Sequence, residues 1–202
     1  MLQPDIVDLL SSNGGIMGLL SRIFGENIEK QKLSKFKELE SKFGGDSDLL
    51  GNMKAVWLTS RGNHYGANRK YEKALNDFTE AIQICPSHIP AYVAMATSYR
   101  EIGKLDDAQD VIHKAMDALG TAGELYQGSE FELYNQMAAV YFLKHDKNNF
   151  LVWAERAITA YEDPERQAKL KFAIEAGVID GADDQEIIES LRGLINEIKG
   201  EN

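Results

Sequence analysis

One stretch of the chain, residues 55–116, repeats its own pattern of small and bulky residues after a shift of 34 positions. The matched pairs are Gly62 with Ala96, Tyr65 with Tyr99, Ala74 with Ala108, Phe78 with Ile112, and Ala81 with Ala115. Self-similarity at a fixed period of about 20–50 residues is typical of proteins built from stacked units. Because one such unit cannot bury its apolar face alone, the pattern predicts units that pack side by side.

The order of residues in the first copy resembles the tetratricopeptide repeat. That copy reads G-x-x-Y from Gly62, then A-x3-F-x2-A from Ala74, and it closes on Pro86. The family's period is about 34 residues. The resemblance implies that each unit is a pair of antiparallel helices, A and B, with small residues where the two backbones approach closely. The alanines expected to be buried at these contacts are Ala74, Ala81, Ala108 and Ala115.

A third and more divergent copy follows an insertion. Residues 120–130 move the next match to 42 positions, after which Ala138, Tyr141 and Ala157 resume the pattern. Phe150 stands where a small residue is expected and Ala154 where a bulky one is, an exchange that would conserve volume. The three repeats are expected at about 55–86, 89–120 and 131–162, within a repeat domain spanning 52–163.

Helical patterns flank the repeats on both sides. Residues 1–51 are predicted to form an N-terminal helical extension, joined to the repeats by a hinge at 44–51. Its apolar stretch at 16–24 is expected to cover an end of the repeats, with a partner-binding or membrane-surface helix as the alternative. We therefore expect an all-α fold, a tetratricopeptide-type α-solenoid of about three repeats.

Residues 164–202 are predicted to form C-terminal capping helices. The last of these, at about 184–199, carries an apolar stripe with the spacing of a helix. Two heptads are too few for an independent coiled coil, so the stripe either packs on the repeats or supports a homodimer.

Charge and composition exclude several classes of function. The formal net charge is −10, the acidic excess lies in residues 120–202, and no segment is basic, so we expect no nucleic-acid partner. The single cysteine, Cys85, supports neither an intramolecular disulfide nor a zinc cluster. No stretch approaches the roughly 18–20 apolar residues of a membrane span. Without a recognisable signal peptide, the protein is expected to be cytoplasmic.

Residues with catalytic chemistry do not form a recognisable constellation in the sequence. The four histidines are scattered, no His or Cys pair has the spacing of metal ligands, and no phosphate-binding loop is present. Asp106 and Asp107 precede a helix, where capping explains them without acid–base chemistry. We therefore predict no catalytic residue, no metal site, no cofactor and no enzymatic activity.

The resemblance also implies where a partner would bind. In the family, the A helices line an inner groove, and the residues of this groove expected here to bind a partner are Thr59, Asn63, Thr97, Arg100, Asn135 and Gln136. Asn63 stands where members that bind heat-shock proteins hold a C-terminal carboxylate. The cationic residues of that clamp are replaced by Thr59, Ala94, Glu132 and Gln136. A clamp-type partner is therefore not expected.

The resemblance and the neutral groove together predict a non-catalytic protein–protein interaction module, an adaptor or assembly factor. Such a module would bind a protein partner through a peptide or a helix held in the groove. The alternative is a chaperone resembling, in outline, the acidic three-repeat chaperones of bacterial type III secretion, which also carry N-terminal helices. An enzyme subunit with an unrecognised active site is the third and least favoured interpretation.

Overall fold

The computed structural model of the chain describes residues 47–120, 129–175 and 182–200, and within these ranges the regular structure is entirely helical. The helices are α1 (Ser47–Ala67), α2 (Tyr71–Ile84), α3 (Ile89–Glu101), α4 (Leu105–Leu119), α5 (Glu130–Leu143), α6 (Lys147–Tyr161), α7 (Pro164–Glu175) and α8 (Ala182–Lys199). The expected all-α fold is confirmed. The apolar stretch 16–24 and most of the N-terminal extension lie outside the described residues.

Three antiparallel hairpins, α1–α2, α3–α4 and α5–α6, stack in chain order. The first helix of each hairpin contacts the first helix of the next, so α1, α3 and α5 form one layer, while α2, α4 and α6 lie behind them. This arrangement is a tetratricopeptide-type helical repeat, as the sequence predicts. The three hairpins correspond to the three sequence copies.

The turns inside the hairpins show that the copies are in register. Each turn has one residue with a positive φ, and these residues lie 34 and then 42 positions apart, at Arg69 (56°), Gly103 (75°) and His145 (58°). In every turn, the next residue's N–H donates to the carbonyl of a tyrosine five positions earlier. These donor–acceptor pairs are Lys70 with Tyr65, Lys104 with Tyr99, and Asp146 with Tyr141. The bonds complete a Schellman motif, which satisfies carbonyls at the end of the first helix.

The core confirms the predicted helix contacts. Ala74, Ala81, Ala108 and Ala115 are all fully buried. In the third copy the exchanged residues are also buried, with Phe150 2% and Ala154 0% exposed.

The N-terminal boundary differs from the prediction. Residues 47–51 form the first turn of α1, so the expected hinge at 44–51 is wrong for these five residues, and residues 44–46 lie outside the described part. One glycine in a helix interior costs only about 1 kcal/mol, which tertiary packing can offset. A Cβ at Gly51 would lie 3.5 Å from Ile84, which shows how closely α1 approaches α2 here.

The apolar stripe of α8 packs on the third repeat. Ile188, Leu191 and Ile195 are buried in one cluster with Phe131 of α5 and Phe150 of α6. The first of the two alternatives for this helix is therefore the one observed, and the stripe is covered within the same chain. We attribute this packing to the apolar face that the last repeat would otherwise expose to water.

Arg166 on α7 joins the two flanking helices to the repeats. Its guanidinium lies 3.1 Å from Glu132 on α5 and 3.1 Å from Asp184 on α8. The same group stacks over the rings of Phe131, at 4.7 Å, and Tyr161, at 5.1 Å. Because the Arg166 side chain is only 10% exposed, these contacts are shielded from solvent and help to fix the start of α5.

Candidate partner-binding groove

The layer of α1, α3 and α5 forms a groove with two adjoining pockets. The first, which we call the N-terminal pocket, has a volume of about 730 Å³ and lies between α1, α3 and the start of α5. Small and neutral residues dominate its helical walls. They are Asn63, Gly66 and Ala67 on α1, and Pro90, Val93, Ala94, Thr97 and Ser98 on α3.

The second pocket, here the C-terminal pocket, has a volume of about 490 Å³ and lies between α3, α5 and α8. Its walls are Arg100, Glu101, Asn135, Ala139, Phe142, Leu143, Phe150, Leu191 and Leu194. Glu101 lines both pockets, so the two are neighbours along α3. Among the α3 residues that the family resemblance places at the groove, Thr97 lines the N-terminal pocket and Arg100 lines the C-terminal pocket.

Two of the predicted site residues present side-chain amides to the groove. Asn63 is exposed in the N-terminal pocket, and Asn135 is half-buried in the C-terminal pocket. Neither side chain has a hydrogen-bond partner among the described residues. Both amides are therefore available to donate to, and accept from, the backbone of a bound peptide.

The side chains of Thr97 and Gln136 already contact each other. The Thr97 hydroxyl has two acceptors within reach of its one hydrogen, the Val93 carbonyl at 3.0 Å and Gln136 Oε1 at 3.3 Å. The two side chains therefore link α3 to α5, and a ligand would have to compete with this contact.

Thr59 lies in the interior and lines neither pocket. It is 6% exposed, its hydroxyl donates to the Ala55 carbonyl at 2.9 Å, and His88 Nε2 lies 3.0 Å from the same oxygen. Because the one hydroxyl hydrogen goes to Ala55, we infer that His88 Nε2–H is the donor to Thr59. Thr59 therefore holds α1 against the start of the second repeat, and we remove it from the candidate site.

His88 is neutral at physiological pH. It is 4% exposed, and burial lowers the pKa of its imidazole to about 4. The junction of the first two repeats is thus a buried polar contact that depends on an uncharged imidazole.

Arg100 forms no ion pair with another described residue, although the charge of Glu101 lies near it. Its Nε is buried and has no hydrogen-bond partner in the described part of the chain. Burial lowers the pKa of the guanidinium below its ordinary value, while the nearby charge of Glu101 acts in the opposite direction. Since an arginine remains protonated in proteins, the side chain brings a positive charge to the C-terminal pocket.

Glu132 places a partly desolvated carboxyl group at the edge of the N-terminal pocket. Burial raises the pKa of this group, and its own backbone N–H and Arg166 act against that shift. One carboxyl oxygen pairs with Arg166, and the other, Oε2, is buried with no hydrogen-bond partner among the described residues. The family's clamp has a cation at this position, so the charge here has the opposite sign.

The sequence did not identify several groove residues. Arg69 lines the N-terminal pocket from the turn after α1, which is outside the A-helix positions that the resemblance supplies. Leu191 and Leu194 close the C-terminal pocket from α8. The apolar pattern of α8 was visible in the sequence, but its position beside α5 depends on tertiary packing.

Two further properties concern the described residues alone. No group of three or more His, Cys, Asp or Glu side chains is placed so that it could hold a metal ion. None of the helices is both long and apolar enough to cross a membrane.

Comparisons with known proteins bear on the fold. No protein-family model matches the sequence, and no curated protein matches it. Among the solved structures, the chain is similar to the first TPR of Spaghetti (RPAP3), which was solved bound to the HSP90 peptide SRMEEVD. The two are 19% identical, the TM-score is 0.48, and the match covers 63% of this chain and 96% of that chain. The likeness is one of fold alone.

Proposed function

We propose that the chain is a non-catalytic protein–protein interaction module that binds a peptide or helix of a partner in the groove of α1, α3 and α5. The observation that carries the proposal is an open groove in which the amides of the exposed Asn63 and the half-buried Asn135 have no partner among the described residues. Each amide can bond to both a carbonyl and an N–H of a peptide backbone. Such bonds do not depend on side-chain identity, so they suit a peptide of variable sequence.

The charge of the groove favours contact by shape and hydrogen bonds. Arg69 and Arg100 are opposed by Glu101 and Glu132, and Glu132 is partly neutralised by Arg166. A partner held mainly by several ion pairs would need an excess of one sign. We therefore expect the affinity to depend only weakly on salt concentration.

The chaperone alternative has one observation in its favour. Phe142 and Leu143 in the C-terminal pocket are 48% and 47% exposed, and an apolar surface of this kind can shield an amphipathic helix of a client. Both functions use the same groove. A chaperone would be expected to keep its client soluble, whereas an adaptor would bind a partner that is already folded.

The test is a selection from a random library of linear peptides, each 12 residues long, displayed without added structure. A peptide enriched by the wild-type protein is then synthesised and titrated by calorimetry against the Asn63→Ala/Asn135→Ala double variant. Two lost hydrogen bonds, each contributing about 0.5–1.5 kcal/mol, should weaken binding roughly 5- to 100-fold. Asp110→Ala, on the exposed face of α4, is the matched control and should bind like the wild type.

Circular dichroism checks that both variants keep their helix content. If the Asp110 variant loses the peptide while the double variant keeps it, the binding surface is on the α4 side and the proposal is wrong. A library that yields no enriched peptide would also contradict it.

A further inference from the structure

The C-terminal pocket combines a rigid apolar surface with a cation. Phe142 packs one side of its ring on the buried Phe150, with 5.7 Å between the ring centroids and 59° between the planes. About half of Phe142 and half of Leu143 remains exposed. Because Phe150 is fixed in the core, the apolar surface is formed before any ligand arrives, which lowers the entropic cost of binding.

Arg100 lies in the same pocket with unsatisfied donors. Its Nε is buried without a hydrogen-bond partner among the described residues, and it makes no ion pair there. Because the buried Nε is out of reach of a ligand, the contact falls to the terminal nitrogens of the guanidinium, which bond to no described residue and can donate to an acceptor in the pocket. The planar guanidinium fork matches a carboxylate better than any other acceptor in a peptide.

We propose that the C-terminal pocket selects partner peptides in which an internal Glu or Asp lies beside a bulky apolar residue. The carboxylate pairs with Arg100, and the apolar side chain packs on Phe142 and Leu143. This inference rests on the proposed function and adds to it the sequence class of the partner. It assigns Arg100 as a specificity-determining residue, whereas the amides of Asn63 and Asn135 hold the backbone of any peptide.

The position of the pocket favours an internal carboxylate over the C-terminal carboxylate of the partner. The two pockets adjoin through Glu101, so a peptide can continue along the groove past Arg100. Glu101 is exposed beside Arg100, and it would repel the second negative charge of an acidic residue at a chain end.

Two synthetic bead libraries of random 12-residue peptides test the proposal. In the first, the peptides are acetylated and attached through their C-termini, so that no free α-carboxylate is present. In the second, they are attached through their N-termini and end in a free carboxylate. The wild-type protein should enrich Glu or Asp next to Leu, Ile, Met or Phe in the first library. Arg100→Gln should lose the acidic preference and keep the apolar one, whereas Leu143→Ser should weaken the apolar one.

A binding cycle measures the contact directly. One enriched peptide and its Glu→Gln form, both acetylated and amidated, are titrated against the wild type and Arg100→Gln. The change in the peptide should weaken binding to the wild type by about tenfold or more and to Arg100→Gln by less than about threefold. Arg156→Gln, which removes an exposed cation stacked on Trp153 outside both pockets, is the control and should respond like the wild type.

The outcomes separate this inference from the proposed function. If neither library yields a peptide whose binding depends on Asn63 and Asn135, both fail. If such peptides appear without an acidic preference, or if Arg100→Gln keeps that preference, only the inference fails. Enrichment confined to the library with free carboxylates would show that the protein recognises a chain end, and it would also overturn the inference of an internal acidic residue. Arg100→Lys, which retains the charge but loses the fork, should show an intermediate preference and provides a second variant if Arg100→Gln does not fold.

Discussion

The first and third repeats fill the space between their two helices in opposite ways. In the first, Gly62 on α1 faces Phe78 on α2, so closely that a Cβ on Gly62 would lie 2.4 Å from the ring. In the third, the position equivalent to Phe78 is Ala154, and the large side chain is Phe150, one turn earlier on the helix. The backbone pattern is kept while the bulky group moves along it, so packing volume, and not residue identity, is what a repeat must conserve.

The first and third repeats also differ in the kind of side chains that they bury. The first repeat holds a bidentate ion pair between Arg61 and Asp77, with both contacts at 2.6 Å, and the buried pair of Thr59 and His88. The hydrogen bond from Arg61 to Asp77 raises the pKa of the arginine, while burial acts against this rise. The third repeat instead has a cluster of aromatic and aliphatic side chains that α8 completes. We expect the stability of the first repeat to depend on pH, and that of the third repeat to fall when a buried side chain is shortened.

The largest expected effect is at the third repeat. Phe150→Ala removes a ring that is 2% exposed and leaves a cavity between α6, α5 and α8. It should lower the free energy of unfolding by about 3–5 kcal/mol, measured by urea denaturation. Adding Ala154→Phe together with Ala138→Gly to this variant reproduces the Phe78–Gly62 pair of the first repeat and should recover part of the loss. A cost below about 1 kcal/mol for the single change would show that Phe150 does not fill the core.

Protonation of His88 should destabilise the junction of the first two repeats by a somewhat smaller amount. The pKa of the imidazole is about 4 in the folded protein, against 6.5 for an ordinary histidine, so the unfolded chain binds more protons between these values. Stability is therefore lost as the pH falls from about 6.5 to 4, by up to about 3 kcal/mol.

Urea unfolding at several pH values, compared between the wild type and His88→Gln, isolates this contribution from the titration of carboxylates. The variant is expected to lose less stability over the same pH range. Parallel curves for the two proteins would mean that His88 is protonated in the folded state as readily as in the unfolded chain.

The sequence predicts the repeats well because their determinants are local and periodic. The alanines at helix contacts recur at a fixed shift, and Gly103 marks a turn that requires a positive φ. Two other turns have Arg69 and His145 in the same conformation, which residue type alone would not indicate.

The candidate site is less predictable, because it depends on contacts between units. Thr59 occupies a groove position by count, yet His88, 29 residues away, covers its hydroxyl and places it in the interior. The family positions do not include Leu194, since α8 comes from outside the repeats. Whether a partner contacts Asn63, Arg100 and Asn135 stays a prediction for the binding experiments to decide.

The smallest expected effect is at Gly62 in the first repeat. It tests most directly the idea that the repeats conserve their packing volume. Gly62→Ala introduces a methyl group against the Phe78 ring and should destabilise the protein by about 1–3 kcal/mol through overpacking. The second repeat shows which second substitution should relieve this overpacking. At the equivalent positions it pairs Ala96 with Ile112, and both are fully buried. Gly62→Ala with Phe78→Ile should therefore be more stable than the sum of the two single changes predicts, in a double-mutant cycle of urea denaturation. Additive effects within about 0.5 kcal/mol would show that the two positions do not share one space, and the exchange between repeats would then have another cause.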